Sequence, residues 1–317
     1  MKKSILAYVA LIVKCIIYGL TILFTSRLLK NESTFDVLAF RFLVSFVFLQ
    51  ILRLFRVIKV NFKSKNLKSL YLLVIFEPIG YFIFETIGIS YTSTLMTGII
   101  LSLMPVAAVI AETLILKETT SLIQKLYLIM GVTGTVFIAY MSSSNSENSD
   151  LLGIIFIILA MICGCLYLIF SRKISTDFSP AEITYSMVTA GTIIFNFINI
   201  VIHISNGTIT NYFSPLFNLQ NIVGFLYLGV LASILATMLN NFALSKIQAS
   251  SASVFSGITT IVSVLAGVLI NNEACYWYHL LGGALILVGA IGTNLTKIKN
   301  FETTNAVEVK NTVEVDS

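Results

Sequence analysis

The stretch LLGIIFIILAMICGCLYLIF, positions 151–170, contains no charged side chain and no proline. A helix of about 20 apolar residues crosses a hydrocarbon core about 30 Å thick. A strand of a membrane barrel instead alternates polar and apolar positions over about ten residues, a pattern that this stretch lacks. The stretch therefore predicts a transmembrane helix, and with it an all-α membrane protein rather than a barrel.

The rest of the chain has the same character, because 57% of its 317 residues are hydrophobic and 11% are charged. This composition excludes an ordinary soluble domain. Apolar runs of spanning length predict ten transmembrane helices. Their expected ranges are 5–25, 35–55, 69–90, 94–116, 122–141, 151–171, 182–204, 220–242, 249–270 and 277–296. The first run is interpreted as a retained helix, since Lys14 interrupts it and no signal-peptide cleavage site follows.

The basic residues of the connections predict the orientation, because lysine and arginine collect on the cytoplasmic side. The side of the membrane that holds the N terminus has most of the basic residues. These are Lys2, Lys3, Arg56, Lys59, Lys63, Lys65, Lys68, Lys117, Arg172, Lys173, Lys246, Lys297, Lys299 and Lys310. The other side has only Arg27 and Lys30. We therefore expect an inner-membrane protein with both termini in the cytoplasm. The net charge of +5 follows from this topology, so no nucleic-acid partner is expected. The polar, aperiodic tail 297–317 is predicted to be disordered.

The two halves of the chain match each other at nearly constant offsets, 155 residues over the later spans and 145 over the first. The matched pairs include Ser90/Ser245, Val109/Val264, Ala111/Ala266, Glu118/Glu273, Gly134/Gly289, Gly19/Gly164 and Arg27/Arg172. We predict a first repeat at 1–141, a linker at 142–150 and a second repeat at 151–296. Five spans in each half make the repeats inverted in the membrane. Inverted repeats typically build secondary transporters that hold substrate near the midplane.

Longer stretches carry a family resemblance. YTSTLMTGIILSLMPVAAVIAETLILKETT (91–120) and LSKIQASSASVFSGITTIVSVLAGVLINNEACYWYHLLGGALILVGAIG (244–292) resemble the paired EamA-type repeats of the drug/metabolite transporter superfamily. In FDVLAFRFL (35–43), Arg41 falls where that family commonly has an arginine. The resemblance implies a carrier of small polar metabolites, and specifically export of amino acids or related compounds by alternating access.

Five charged residues, Lys14, Arg41, Glu77, Glu85 and Glu112, fall inside predicted spans. Each costs roughly 2.5–3.5 kcal/mol near the bilayer centre, so pairing or access to water is expected. Depth along the helices, at about 1.5 Å per residue, predicts that Lys14 pairs with Glu77 and Arg41 with Glu85. Glu112 is expected to reach the interface. Two interpretations stay open for the pairs, which are permanent structural contacts or groups that bind substrate or a coupling ion.

The motif FEPIGYF (76–82) predicts a kink in the third span, since Pro78 removes a helical hydrogen bond. Pro105 predicts the same in the fourth span. The candidates for substrate binding or coupling are Lys14, Arg41, Glu77, Tyr81, Glu85, Ser102, Pro105 and Ser256. The aromatic side chains expected to line the substrate site are Tyr81, Phe82, Phe84, Tyr91 and Phe255. The stretch SSASVFSGITT (250–260) is expected to contribute hydroxyl groups to it. Glu118 and Glu273 are predicted to cap the helix that follows each of them.

The chain lacks the sequence motifs that are typical of several enzyme and metal-binding classes. The chain has two histidines and four cysteines but no H-E-x-x-H, C-x-x-C or G-x-x-x-x-G-K-[ST] sequence, so we expect no enzyme activity, metal or cofactor. The expected partners are a small-molecule substrate, lipid and a coupling ion such as the proton. A receptor or scaffold without transport, and a transporter of lipophilic drugs or cations, are the alternatives. The sequence leaves the oligomeric state open.

Overall fold

The computed structural model describes residues 2–63, 65–104, 106–107, 109–110, 121–143, 149–246, 255–293 and 295. These residues are mostly helical and include no strand. The predictions for Pro105, Glu112, Glu118 and the tail 297–317 lie outside the described residues.

The helices follow the apolar runs of the sequence. In chain order they are α1 (Lys2–Leu28), α2 (Thr34–Leu54), α3 (Lys68–Tyr91), α4 (Thr94–Leu101), α5 (Leu122–Ser143), α6 (Ser149–Ile174), α7 (Pro180–Ser205), α8 (Leu219–Leu244), α9 (Ser256–Ile270) and α10 (Trp277–Thr293). Within the described residues, six helices are long and apolar enough to cross a membrane, and parts of α5, α9 and α10 form shorter apolar helices. The all-helical membrane architecture is confirmed, whereas the number of ten crossings stays a prediction.

Short polar caps set where several helices begin. The Ser33 hydroxyl accepts from the Asp36 N–H at 3.2 Å before α2, and the Ser93 hydroxyl accepts from the Met96 N–H at 3.0 Å before α4. Such caps satisfy backbone donors that have no partner inside the helix. The helix α5 ends at Ser143 and α6 begins at Ser149, so the middle of the predicted linker 142–150 lies outside the described residues.

The predicted kink in the third span is confirmed. The helix α3 is kinked at Ile75–Gly80, where Glu77 has an extended backbone with φ −145° and ψ 122°. Pro78 follows directly and has no N–H to donate. The helix α8 contains a π-helical stretch at Tyr227–Ala236 without any proline. The two interrupted helices are the third of each half, which places matching irregularities at matching positions.

The two halves pack against each other in a reciprocal pattern. The helix α3 of the first half lies along α6, and α8 of the second half lies along α1. The helix α2 packs on α7, and α4 packs on α9. Because each of these contacts joins the halves, a single long interface runs through the centre of the bundle.

Glycines allow α5 and α10 to approach closely. A Cβ atom at Gly289 would lie 2.7 Å from the backbone nitrogen of Gly131, and one at Gly134 would lie 2.8 Å from the carbonyl oxygen of Gly282. Real Cβ atoms do not come so near to backbone, so these positions have space only for hydrogen. Close contact through small residues is how transmembrane helices gain van der Waals attraction without a hydrophobic driving force.

We expect Gly289→Ala to lower the free energy of unfolding by roughly 1–3 kcal/mol, because the methyl group forces α5 and α10 apart. The matched control is Gly257→Ala in α9, where the nearest atom to a new Cβ is 4.0 Å away. Alanine stabilises a free helical position by roughly 0.5–1 kcal/mol, so the control should be neutral or stabilising. The two variants are compared by their midpoints of thermal unfolding in detergent. Equal midpoints would contradict the close packing of α5 on α10.

Candidate substrate cavity

A cavity of about 110 Å³ lies at the interface between the halves, lined by α1, α2, α3 and α4 of the first and by α6, α8 and α9 of the second. Four of its lining residues are charged, namely Lys14, Arg41, Glu77 and Glu85. The sequence had singled out all four. The four line one cavity, but neither of the predicted direct pairs is formed.

Arg41 does not form the predicted ion pair with Glu85. Its side chain is 1% exposed, its Nε donates to the Ser233 hydroxyl at 2.9 Å, and its guanidinium carbon lies 4.2 Å from the centre of the Phe82 ring. The bond to Ser233 is the one hydrogen bond that this guanidinium makes to a described residue. An aromatic face and a hydroxyl thus hold Arg41, and its terminal nitrogens are left for the cavity.

Lys14 does not form the predicted ion pair with Glu77 either. Its ammonium nitrogen lies 4.9 Å from the centre of the Tyr18 ring, one helical turn further along α1. Among the described residues, ion pairs join Lys65 to Glu182 and His203 to Asp36 instead. Equal depth along two helices did not ensure that the side chains pointed at each other, and a ring on the same helix was closer.

Glu85 has the most unusual environment of the four charged groups. Its side chain is 3% exposed, and its Oε1 accepts a hydrogen bond of 2.8 Å from the Tyr81 hydroxyl. Its Oε2 is buried and has no hydrogen-bond partner among the described residues. A buried carboxylate oxygen without a partner is costly, which marks this position for a functional explanation.

Neutral polar groups complete the lining. The Tyr18 hydroxyl lies 3.1 Å from that of Thr237, and the Tyr167 hydroxyl donates to Asn241 Oδ1 at 2.9 Å. Thr259 and Thr260 come from the hydroxyl-rich stretch that the sequence placed here. Sequence reasoning missed the roles of Tyr18, Tyr167 and Asn240, since tyrosine and asparagine inside apolar helices carry no spacing signal.

Three of the candidate residues are not placed in this lining. Ser102 is buried elsewhere, and its hydroxyl donates to the Ile99 carbonyl of its own helix at 2.5 Å. Pro105 lies outside the described residues, as does the side chain of Ser256.

The aromatic wall is smaller than the sequence predicted. Tyr81 and Phe82 line the cavity. Phe84 and Tyr91 stack on Phe156 instead, and Phe255 packs on Tyr8. The prediction was wrong for these three because it used position along the chain and not the side of the helix.

A second, apolar cleft of about 400 Å³ lies between α3 and α7. Its lining is formed by aliphatic and aromatic side chains with hydroxyls such as Ser186 and Thr189. Among the residues that the structure describes, no charged side chain lines this cleft. A polar solute would find no charged partner there, so the central cavity is the candidate site.

Hydrogen bonds between the halves close the end of the bundle opposite the N terminus of α1, which we call the far end. Arg27 Nε donates to Asn271 Oδ1 at 3.3 Å, and Asn271 Nδ2 donates to the Thr94 hydroxyl at 3.1 Å. The Glu273 carboxylate accepts from the backbone N–H groups of Thr94 at 3.0 Å and Leu95 at 2.7 Å. We call this group the far-end clasp. Glu273 therefore caps a helix as predicted, but that helix is α4 rather than the following α10.

We expect Glu273→Gln to loosen the far-end clasp, because one amide oxygen replaces two charged acceptors at the positive end of α4. The free energy of unfolding should fall by about 1 kcal/mol, the usual cost of a lost helix cap. A Thr97→Cys reporter in α4 should also react faster with a membrane-impermeant maleimide. The exposed Cys275 is first replaced by serine, since it would react as well.

The control for this experiment is Asp177→Asn, which makes the same chemical change at an exposed position of the connection after α6. It should alter neither unfolding nor the labelling rate of the reporter. Identical labelling rates for Glu273→Gln and the control would show that the clasp does not govern access from the far end.

An all-helical membrane protein whose halves enclose a polar, charged cavity has the architecture of a secondary transporter. The model of the EamA-like transporter family matches residues 5–140 and 151–295, once in each half. The chain belongs to the EamA-like transporter family, as the sequence resemblance indicated, and fits the drug/metabolite transporter superfamily.

Relatives of the chain are also transporters by name. It is 34% identical to the uncharacterized transporter YcxC of Bacillus subtilis over 289 residues, covering 91% of this chain and 93% of YcxC. It is 23% identical to the uncharacterized transporter YetK of the same organism, covering 98% and 92%. A crystal structure superposes with a TM-score of 0.61 at 15% identity, covering 89% of this chain and 98% of that one. The last similarity concerns the fold alone.

Proposed function

We propose that the chain is a secondary transporter of small polar metabolites, and that it exports amino acids or related compounds by alternating access. One observation supports this most, which is that two cations and two carboxylates line one cavity between the halves. A zwitterionic solute carries both charges that such a lining can pair. Desolvating those charges is favourable only where each finds a partner, so the cavity would discriminate against apolar solutes.

The roles of the charged residues follow from their contacts. Arg41 and Lys14, the two cations of the lining, would bind the solute carboxylate. Glu77 would bind the ammonium group, since it lies at the break of α3 where the backbone does not form a regular helix. Interrupted helices at the interface of two repeats are typical positions for substrate sites.

Alternating access would work by opening and closing the far end. The clasp closes it here, and the buried hydroxyls of Thr25 and Thr97 lie along α1 and α4 between the cavity and the clasp. Neither hydroxyl has a hydrogen-bond partner among the described residues, so both would be available to a passing solute once the clasp opens. We propose that the repeats are inverted, that the far end faces outward and that both termini are cytoplasmic, in accord with the basic residues of the connections.

Ligand-induced stabilisation of the purified protein in detergent tests the substrate class. The panel contains amino acids, organic acids, sugar phosphates and quaternary amines at two pH values. A ligand at 100 times its dissociation constant stabilises the protein by about 2.7 kcal/mol, which shifts the unfolding midpoint measurably. We expect amino acids to give the shift. A response to quaternary amines alone would favour a carrier of lipophilic cations, and no response would favour a receptor or scaffold.

We expect Lys14→Met and Glu77→Gln each to weaken amino-acid transport into proteoliposomes. A hydrogen bond to a charged group contributes about 1.5–3 kcal/mol, so the apparent affinity should fall at least about tenfold. The control is Glu32→Gln, which changes a carboxylate in the α1–α2 connection that accepts from Asn221 at 2.6 Å. Wild-type transport by both cavity variants would remove these residues from the substrate site.

A further inference from the structure

Glu85 is the charged cavity residue that the proposed function leaves without a role. One of its oxygens is held by Tyr81 on the same helix, and the other is buried without a partner among the described residues. Arg41, on α2, is close enough to act on it electrostatically but forms no ion pair with it. The other titratable groups of the cavity are Lys14 and Tyr18 on α1, Glu77 on α3 and Tyr167 on α6.

Charge balance determines what happens when an anion enters. With both carboxylates ionised, Lys14, Arg41, Glu77 and Glu85 together carry no net charge. A solute that has a carboxylate but no ammonium group adds one negative charge when it binds at Arg41, in a site screened from water. An uncompensated charge in such surroundings is strongly unfavourable, and the usual outcome is that a nearby group changes its protonation state.

The two glutamates differ in what remains for them when Arg41 is occupied. Glu77 keeps Lys14 as a second cation within electrostatic range. The cation near Glu85 is Arg41, whose guanidinium lies on the ring of Phe82, three residues before Glu85 in α3. A solute that neutralises Arg41 therefore removes the partner of Glu85 while leaving that of Glu77 in place.

We propose that Glu85 is a proton-binding site coupled to the solute, so that a carboxylate binds at Arg41 together with a proton on Glu85. The proton sits on Oε2, the oxygen that has no other partner, and Tyr81 continues to donate to Oε1. The protonated group restores the charge balance and supplies a hydroxyl donor toward the bound anion. Solute and proton each increase the affinity of the site for the other. This inference rests on the proposed function.

The test uses propionate as the carboxylate probe and n-propylamine as the probe that lacks the carboxylate. Isothermal titration calorimetry of the full chain in detergent, repeated in buffers with different heats of ionisation, counts the protons bound with each probe. The titrations run between about pH 6 and about pH 8.5, where a free carboxylic acid of pKa about 4.3 is ionised. At the alkaline end we expect uptake of about one proton with propionate and none with n-propylamine.

The variant Glu85→Gln separates the proton from the solute, because an amide resembles a protonated carboxyl and can still accept from Tyr81. We expect it to bind propionate with no proton uptake and with an affinity that does not change with pH. The wild-type affinity should fall about tenfold per pH unit at the alkaline end, as linkage to one proton requires. The control Glu32→Gln should keep the wild-type dependence on pH.

The outcomes distinguish this inference from the proposed function. Wild-type binding without proton uptake at any pH would overturn the coupling while leaving the transporter proposal intact. Loss of the pH dependence in Glu77→Gln rather than in Glu85→Gln would assign the proton to Glu77 and overturn it too. If Glu85→Gln fails to fold, the number of protons that the wild type takes up with propionate tests the coupling by itself. If neither the probes nor any member of the stabilisation panel binds, the proposed function fails, and the inference fails with it.

Discussion

Burying charge inside a lipid-spanning bundle is the constraint on which the rest of this structure depends. Arg41 alone would cost roughly 2.5–3.5 kcal/mol near the centre of a bilayer. The fold surrounds it with Phe82 from α3 and Ser233 from α8, so one helix from each half must pack against α2. Burying the guanidinium of Arg41 thus requires the two halves to pack against each other. The same packing encloses the cavity that can bind a polar solute.

The sequence predicts the helices well because lipid leaves the backbone no partner outside its own helix. The range 35–55 was expected where α2 occupies Thr34–Leu54, and 182–204 where α7 occupies Pro180–Ser205. The kink at Pro78 was also predictable, since its cause is a missing N–H on that residue. The contact partners of the buried charged side chains were less predictable. The depth of a residue in the membrane follows from counting residues along its helix. The direction in which its side chain points around the helix axis does not. The expected ion pairs of Lys14 and Arg41 were wrong for that reason.

Glu273 shows the same limit in a different form. Its chemistry was correctly predicted, because a carboxylate before a helix suits a backbone N–H cap. The helix was not, because the N–H groups that it binds belong to Thr94 and Leu95, in the other half of the chain. Local sequence describes what a side chain can do, whereas the packing of the repeats decides where it does it. A cap within one half would only stabilise a helix, but this cap also joins α4 to the connection after α9.

The π-helical stretch of α8 implies that helix phase, as well as composition, selects the residues of the cavity. Tyr227 at its start donates to the Ile17 carbonyl, and Thr237 just after its end lies beside Tyr18, so α1 contacts α8 on both sides of the stretch. Removing one residue between them would restore a regular helix and turn everything that follows by about 100°. Asn240 would then leave the cavity without being mutated. Members of the family that differ by one residue in this stretch could therefore present different linings from similar sequences.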